Sequence, residues 1–198
     1  MDKIKPALVP AVLLWLSFLV SVTRGYAATS DVLYVQDGHN LVTYAVNYKS
    51  VTKLGALYIN ASPDYPIQIF HAPSAPFLYI LGFTSANEEY FWAHATTPQG
   101  VPTENPIQKF AVKPSLTQFL FHPNGNFAYA LYSWTDQNGE YVGDVVLYKV
   151  DPQTGMLTNT HQPVANFPPN FFWQTFLYGM NSTGTKLYTR AYVNFRDS

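Results

Sequence analysis

The stretch Phe121-His122-Pro123-Asn124-Gly125-Asn126-Phe127-Ala128-Tyr129-Ala130-Leu131 decides the fold. It predicts the end of one strand, a tight turn at Pro-Asn-Gly, and a second strand with apolar residues on both faces. The same pattern stands at Phe70–Leu81 and returns, more loosely, at Met180–Tyr188. A pattern that returns at a regular distance predicts a repeat architecture, in which each copy is one structural unit.

Tyrosines in the second of these two strands measure the length of the repeat. They are Tyr34, Tyr79, Tyr129 and Tyr188, with spacings of 45, 50 and 59 residues. That period is typical of a β-propeller blade made of four antiparallel strands. No stretch beyond residue 28 shows a sustained helical periodicity with capping residues, so no helix is predicted there.

Each unit continues with further strand patterns in the same order. The turn between them is clearest at Asp151–Leu157, where Pro152 presets φ and Gly155 suits a positive φ. The strand patterns on either side of such turns are Leu41–Val46 and Gly55–Asn60, Tyr90–Ala95 and Pro106–Val112, and Val145–Val150 and Pro163–Phe167. The patterns that open the next units are Tyr65–His71, Leu116–His122 and Phe171–Gly179. The predicted units are 29–63, 64–113, 114–169 and 170–198.

Residues 1–27 are predicted to be a signal peptide with a helical apolar segment. Met1–Lys5 is a short basic start, Ala7–Val22 is an apolar run, and Gly25 and Ala27 are the small residues before a cleavage site. The run is shorter than the about 20 residues that cross a bilayer, so a cleaved leader is preferred over an uncleaved anchor. We therefore expect a secreted or periplasmic protein whose mature domain is residues 28–198.

The charge balance and the lack of cysteine limit the possible partners. Without residues 1–27 the chain keeps 11 − 3 = 8 basic and 12 − 1 = 11 acidic residues, a net charge of −3. That balance argues against nucleic acid or an anionic membrane surface as a partner. An exported domain with no cysteine has no disulfides and depends on its apolar core, which fits a bacterial envelope protein.

Histidines are the first candidates for chemistry. His71 and His122 stand in nearly the same place, at a strand end before a proline-containing turn, and could surround the propeller mouth as ligands or general bases. Asn181 stands at this place in the next copy, which favours a slot whose side chain bonds the backbone of its own turn. The histidines that show no metal-ligand spacing are His39, His94 and His161.

Acidic residues offer two more candidates. The segment Asp136–Glu140, together with Asp144, gathers oxygen ligands and could bind calcium. A hairpin is the preferred interpretation, because Asn138-Gly139 is a strong two-residue turn signal and the alternating acids of a calcium loop are incomplete. Glu88 and Glu89 would face opposite sides of a strand, so we interpret them as loop charges.

Aromatic side chains could form a platform that stacks on a sugar ring. The residues concerned are Trp92, Trp134, Phe171, Phe172 and Trp173. Packing within and between blades is the preferred interpretation, because propeller sheets stack face to face and bury large side chains. The sequence has no nucleophile elbow, phosphate loop or dinucleotide fingerprint, and we predict neither a metal nor a cofactor.

The repeat resembles that of a known family. His-Pro-Asn-Gly-x-Phe-x-Tyr at residues 122–129 and Val-x-x-Tyr-x-Val-Asp-Pro-x-Thr-Gly-x-Leu at residues 145–157 are similar to the repeat of lactonase-type seven-bladed β-propellers. These proteins are a branch of the YVTN-like repeat proteins, with a WD40-like architecture. The resemblance covers residues 29–198 and implies an all-β fold and lactone hydrolysis. It matches no catalytic residue to a position in this chain.

The number of units leads to two further expectations. The mature chain supplies about three and a half blades, whereas a seven-bladed ring needs on the order of 300 residues, so we expect a fragment of a longer propeller. From the residues, the predicted function is an exported scaffold that binds a glycan, a small lactone or an envelope protein. A lactone hydrolase, implied by the resemblance, is the alternative.

Overall fold

The computed structural model describes residues 21–24, 31–73, 75–112, 115–167 and 176–190. Within these ranges the chain forms β-strands and no helix, and therefore no helix that could cross a membrane. The strands of the first two sheets are β1 (Ser21–Arg24), β2 (Asp31–Asp37), β3 (Asn40–Asn47), β4 (Ser50–Tyr58), β5 (Gln68–His71), β6 (Phe77–Phe83), β7 (Glu89–Ala95) and β8 (Gln108–Ala111). The remaining strands are β9 (Ser115–Phe121), β10 (Phe127–Thr135), β11 (Tyr141–Val150), β12 (Leu157–Phe167), β13 (Phe176–Met180) and β14 (Leu187–Arg190).

Strands that follow one another in the chain pair in antiparallel sheets. β1–β4, β5–β8 and β9–β12 each form a four-stranded sheet, and β13 and β14 form a two-stranded one. One such sheet in each predicted unit is the arrangement of propeller blades, which we number 1 to 4. The prediction of an all-β propeller with about three and a half blades is confirmed.

Strand register shows which residues of the blades are equivalent. Tyr79 of β6 lies between Phe70 of β5 and Ala93 of β7, and Tyr129 of β10 lies between Leu120 of β9 and Leu147 of β11. The tyrosines used to measure the repeat therefore occupy the second strand of each blade, as the sequence predicted. This register allows blades 2 and 3 to be compared residue by residue.

Blade 1 has an opening strand that the sequence did not predict. We expected this blade to begin with its second strand, at residue 31, but Ser21–Arg24 forms β1 and pairs antiparallel with Asp31–Tyr34 of β2. The β-branched Val22 and Thr23 suit a strand, and β1 covers a sheet edge of β2 that would otherwise be unpaired. β1 lies inside the predicted signal peptide, whose residues 1–20 and cleavage point fall outside the described residues.

The outer strands of blades 1 and 3 begin earlier than predicted. β4 starts at Ser50 because Asn47 closes a short turn, its Oδ1 accepting hydrogen bonds of 2.9 Å from the N–H groups of Lys49 and Ser50. β12 starts at Leu157, directly after the turn at Gly155, rather than at Pro163. Both turns return the chain into the sheet sooner than the apolar pattern indicated.

A repeated tyrosine contact joins consecutive blades. The hydroxyl of Tyr34 donates a 2.6 Å hydrogen bond to the carbonyl of Gly100, and that of Tyr79 donates a 2.8 Å bond to the carbonyl of Gly155. Each glycine lies between the third and fourth strands of the next blade, with φ of +84° and +72°. Burial raises the pKa of Tyr34 to about 12, so its phenol remains a donor at neutral pH.

Glutamine side chains add polar bonds between blades. Gln108 of blade 2 accepts a 2.8 Å bond from the N–H of Leu157 and donates a 2.9 Å bond to its carbonyl. In the same way, Oε1 of Gln36 in blade 1 accepts a 3.0 Å bond from the N–H of Ile67. A side-chain amide carries both a donor and an acceptor, so each glutamine pairs with the next blade much as a neighbouring strand would.

The apolar core lies mainly between the blades. Between blades 2 and 3, the ring of Phe91 lies 4.9 Å from that of Phe119 and 5.8 Å from that of Tyr79, measured between centroids. A second cluster joins blades 1 and 2 around Ile80 and Trp92. Burying each large apolar side chain contributes about 1.5–3 kcal/mol. The interfaces between blades therefore hold the described part of the chain together.

Candidate functional site

A cavity of about 670 Å³ opens between blades 2 and 3. Its walls come from β8 of blade 2 and from β10, β11 and β12 of blade 3. The side chains with aromatic or polar groups that line it include Phe110, Tyr132, Trp134, Asp144, Tyr148 and Asn159. Small-molecule sites typically have volumes of about 300–1,000 Å³ and a few polar groups on a mostly apolar wall. The cavity has these properties.

Small side chains in blade 3 explain why the cavity exists. In blade 2 the cross-strand pair Ile80 and Trp92 is buried and fills the space toward blade 1. In blade 3 the equivalent pair is Ala130 and Val146, which faces blade 2. Because protein interiors are close-packed, such a loss of side-chain volume leaves space unless neighbouring groups move in. The smaller side chains of this pair in blade 3 therefore leave room for the cavity.

Two buried tyrosines meet in the cavity wall. The hydroxyls of Tyr132 and Tyr148 are hydrogen-bonded at 2.5 Å, and Nδ2 of Asn159 donates a 3.3 Å bond to the hydroxyl of Tyr148. The two phenols carry two protons and their mutual bond uses one, so the other remains for a further acceptor. Burial raises the pKa of both phenols, and the Tyr148 hydroxyl and the negative charge of Glu89 raise that of Tyr132 further. Both side chains are therefore protonated donors at neutral pH.

Asp144 places a carboxylate beside this tyrosine pair. It lies on β11 directly opposite Tyr132 of β10, so the two Cβ atoms are about 4.5–5.5 Å apart. The side chain is half-buried and lines the cavity, and burial raises its pKa. A raised pKa makes a carboxylate a stronger base, which suits it to accept a proton from water. Asp144 was predicted to belong to a loop, and its position in a strand is what brings it into the cavity.

Glu89 is a further acidic residue near the tyrosine pair. It is the first residue of β7 and is half-buried, and its Oε2 accepts a 3.3 Å bond from the N–H of Leu116 in blade 3. Its charge also acts on Tyr132. The interpretation of Glu89 as a loop charge was wrong, because β7 begins at this residue. Glu88, in contrast, is exposed and precedes the strand.

His71 and His122 do not occupy the same position in their blades. The backbone N–H groups of Ala72 and His122 make the same bond across their turns, so His122 is equivalent to Ala72 and His71 lies one residue earlier. Nδ1 of His122 accepts a 3.1 Å bond from the N–H of Asn124. His122 thus bonds the backbone of its own turn, which agrees with the preferred interpretation from the sequence. Asn181 also does so, accepting a 2.8 Å bond from the N–H of Lys186.

Two of the other candidate histidines bond backbone carbonyls. Nδ1 of His39 is 2.7 Å from the carbonyl of Ala61, and Nδ1 of the buried His94 is 2.8 Å from that of Thr103. His161 is exposed on β12. Among the described residues, no three histidine or acidic side chains are grouped closely enough to hold a metal ion.

The acidic segment after β10 forms the predicted hairpin. Oδ1 of Asp136 accepts bonds of 2.8 Å and 2.9 Å from the N–H groups of Asn138 and Glu140, and Gly139 has φ of +78°. The Asp136 carboxylate is therefore occupied in closing the turn between β10 and β11. The preferred hairpin interpretation is thus supported.

Trp92 and Trp134 of the predicted aromatic platform lie in different places. Trp92 is buried in the core between blades 1 and 2, whereas Trp134 is half-buried and lines the cavity. Phe171, Phe172 and Trp173 lie outside the described residues. Sequence reasoning missed Tyr132, Tyr148 and Asn159, because they form no motif along the chain and meet only through contacts between strands.

Solved structures that share this fold are reported as lactonases. A candidate 6-phosphogluconolactonase from Bacteroides fragilis has a TM-score of 0.53 and 13% identity, over 73% of this chain and 38% of that one. Another from Bacteroides uniformis has a TM-score of 0.50 and 19% identity, over 74% of this chain and 42% of that one. The fold is that of lactonase-type propellers.

The comparisons establish fold alone, since all identities are low. A periplasmic gluconolactonase from Pseudomonas aeruginosa has a TM-score of 0.48 and 15% identity, over 74% of this chain and 38% of that one. This chain spans about two fifths of the length of the lactonase-type propellers it resembles. No protein-family model and no curated protein matches the sequence.

The cavity of this lactonase-type fold combines three chemical abilities. Asp144 can accept a proton, and the phenol pair of Tyr132 and Tyr148 can donate a hydrogen bond to a developing negative charge. Trp134 and Phe110 offer apolar surface for a ring. A base, an oxyanion donor and a binding surface are what the addition of water to an ester carbonyl requires.

Proposed function

We propose that this chain forms part of a propeller hydrolase that opens a small sugar lactone in the cavity between blades 2 and 3. One observation carries the proposal: in a cavity of ligand size, the half-buried Asp144 lies directly opposite Tyr132, whose phenol is hydrogen-bonded to that of Tyr148. The likeness in fold to lactonase-type propellers supports the reaction class.

In the proposed reaction, Asp144 acts as the general base. Its carboxylate accepts a proton from a water molecule while the water oxygen forms a bond to the lactone carbonyl carbon, and the carbonyl electron pair moves onto oxygen. The remaining phenol proton of the tyrosine pair donates a hydrogen bond to that oxyanion. When the intermediate collapses, the bond from carbon to the ring oxygen breaks and Asp144 returns the proton to the leaving oxygen. The product is the open hydroxy acid.

Aromatic side chains position the substrate in this proposal. The face of a sugar ring carries C–H groups that pack on aromatic surfaces, and Trp134 and Phe110 supply such surfaces within the cavity. The amide of Asn159 holds the Tyr148 hydroxyl and so orients the phenol pair. The predicted leader supports a location outside the cytoplasm, where this reaction would take place.

The test measures lactone opening by the full chain. Glucono-δ-lactone is incubated with the protein, and acid release is followed with a pH indicator against hydrolysis in buffer alone. Replacing Asp144 by Asn should lower kcat by about 10²–10⁴-fold, because general-base catalysis contributes this much. Replacing Tyr132 by Phe should lower it by about 10²-fold, because one oxyanion donor is weakened.

Matched controls use residues away from the cavity. Asp64→Asn removes an exposed carboxylate, and Tyr188→Phe removes the hydroxyl of a tyrosine that is 52% exposed. Both should leave the rate unchanged. If the wild-type chain opens the lactone no faster than buffer, the hydrolase proposal is wrong. Saturable binding without turnover would instead support the binding scaffold predicted from the sequence.

A further inference from the structure

The charge of the cavity points to the class of lactone. We infer that the substrate is an uncharged lactone without a phosphate group; this inference rests on the proposed function. Lysine, arginine and histidine are all absent from the described side chains that line the cavity. Asp144 lies in its wall, and Glu89 is close enough to act electrostatically on Tyr132. The described charged groups in and beside the cavity are therefore all acidic.

Phosphate groups in proteins are bound by arginine, by lysine or by the N-terminus of a helix. The described residues contain no helix, and the lysine nearest the cavity along β8 points to the other side of its sheet. Nζ of Lys109 lies 4.3 Å from the ring centroid of Tyr90 and 5.8 Å from that of Trp92, which belongs to the core between blades 1 and 2. Lys109 is therefore not a phosphate ligand for this cavity.

A phosphate near Asp144 would also interfere with the proposed reaction. The ester carries a charge of about −1.5 to −2 at neutral pH, and like charges disfavour the ionised form of a nearby carboxylate. Relief of the repulsion would require protonation of Asp144, which removes the base. A neutral ring avoids this conflict, because its hydroxyls can bond the amide of Asn159 and its apolar face can pack on Trp134.

The first experiment compares two substrates with the full chain. The value of kcat/KM is measured for glucono-δ-lactone and for its phosphate ester at low and high salt. We expect the neutral lactone to be preferred by at least about tenfold, which corresponds to about 1.4 kcal/mol. The preference should shrink at high salt, because screening weakens repulsion. An equal or higher kcat/KM for the phosphorylated lactone would overturn the inference.

A binding measurement separates this inference from the proposed function. The corresponding sugar lactam, which has a ring amide in place of the ester and is not hydrolysed, is titrated with and without a phosphate group while tryptophan fluorescence is recorded. The neutral lactam should bind more tightly, and Trp134→Phe should remove most of the signal change. If the neutral lactam binds more tightly but the lactone is not opened, the hydrolase proposal fails and the preference for a neutral ring stands. Tighter binding of the phosphorylated lactam contradicts the inference whatever the turnover.

Two sets of variants test the electrostatic origin of the preference. Asn159→Lys places a cation in the cavity wall and should shift the ratio of kcat/KM values toward the phosphorylated lactone by about tenfold or more. Lys113 follows the cavity residue Val112 and lies outside the described residues, so Lys113→Ala is compared with Lys109→Ala as its control. Neither alanine variant should change the ratio. A loss of activity toward the phosphorylated lactone in Lys113→Ala alone would identify a phosphate ligand and overturn the inference.

Discussion

Replacing Gly155 by Ala should weaken the interface between blades 2 and 3. Gly155 has φ of +72°, and a Cβ atom there would lie 2.5 Å from Cγ of Phe77 and 2.9 Å from Cδ1 of Ile107. The left-handed backbone costs an L-residue about 1 kcal/mol, and crowding in a packed interface costs about 1–3 kcal/mol more. We therefore expect the free energy of unfolding to fall by about 2–4 kcal/mol.

A matched variant separates these two costs. Gly139 has nearly the same backbone conformation, with φ of +78°, but a Cβ atom there would meet nothing within 4 Å. Gly139→Ala should therefore cost only the backbone contribution of about 1 kcal/mol. A third variant, Tyr79→Phe, removes the hydrogen bond to the carbonyl of Gly155 and should cost about 1–2 kcal/mol.

Urea unfolding of the full chain, followed by tryptophan fluorescence, measures all three changes. The double variant of Gly155 and Tyr79 should lose less than the sum of the single losses, because both act on one contact. Equal losses for the alanine variants of Gly155 and Gly139 would refute the reasoning. That result would mean that the turn of blade 3 does not pack on Phe77.

Three further predictions concern the cavity, its acid and the first strand. Val146→Trp gives blade 3 the side chain that blade 2 has at Trp92, so it should block lactam binding in the fluorescence titration. It should change the free energy of unfolding by no more than about 2 kcal/mol. Burial raises the folded-state pKa of Asp144, so the free energy of unfolding should decline as pH rises through that pKa. Urea unfolding at several pH values measures this decline, and Asp144→Asn should flatten it. Deleting residues 1–27 removes β1 whereas deleting 1–20 keeps it, so the shorter chain should unfold at a lower urea concentration.

Local chemistry explains why the blades could be predicted from the sequence. Alternating strands and turns such as Asp151–Leu157 depend on neighbours in the chain, and Tyr79 and Tyr129 lie in equivalent strands as the spacing indicated. The boundaries were less accurate where hydrogen bonds across a turn extend a strand, as at Ser50. β1 was missed because an apolar run near a basic N-terminus has the same composition as a leader.

Predicting the cavity requires knowing which residues pair across strands, and the spacing of the repeat does not give that pairing. Val146 becomes informative only when register shows that it is equivalent to Trp92 of the preceding blade. Side chains alternate between the two faces of a strand, so an error of one residue reverses the face. An error of one residue made His71 look equivalent to His122, although the equivalent of His122 is Ala72. The sequence therefore indicated candidates at the turns, and the cavity formed between sheets instead.

The tyrosine contact between blades also bears on how such a chain changes in evolution. Each contact takes its tyrosine from one blade and its glycine from the next, as in Tyr34 with Gly100 and Tyr79 with Gly155. A duplicated unit brings both partners with it, so a gained or lost blade leaves a tyrosine–glycine contact at the new junction. The number of blades can then change while this contact is kept. Only the other side chains between two particular blades need to differ for a new cavity to arise.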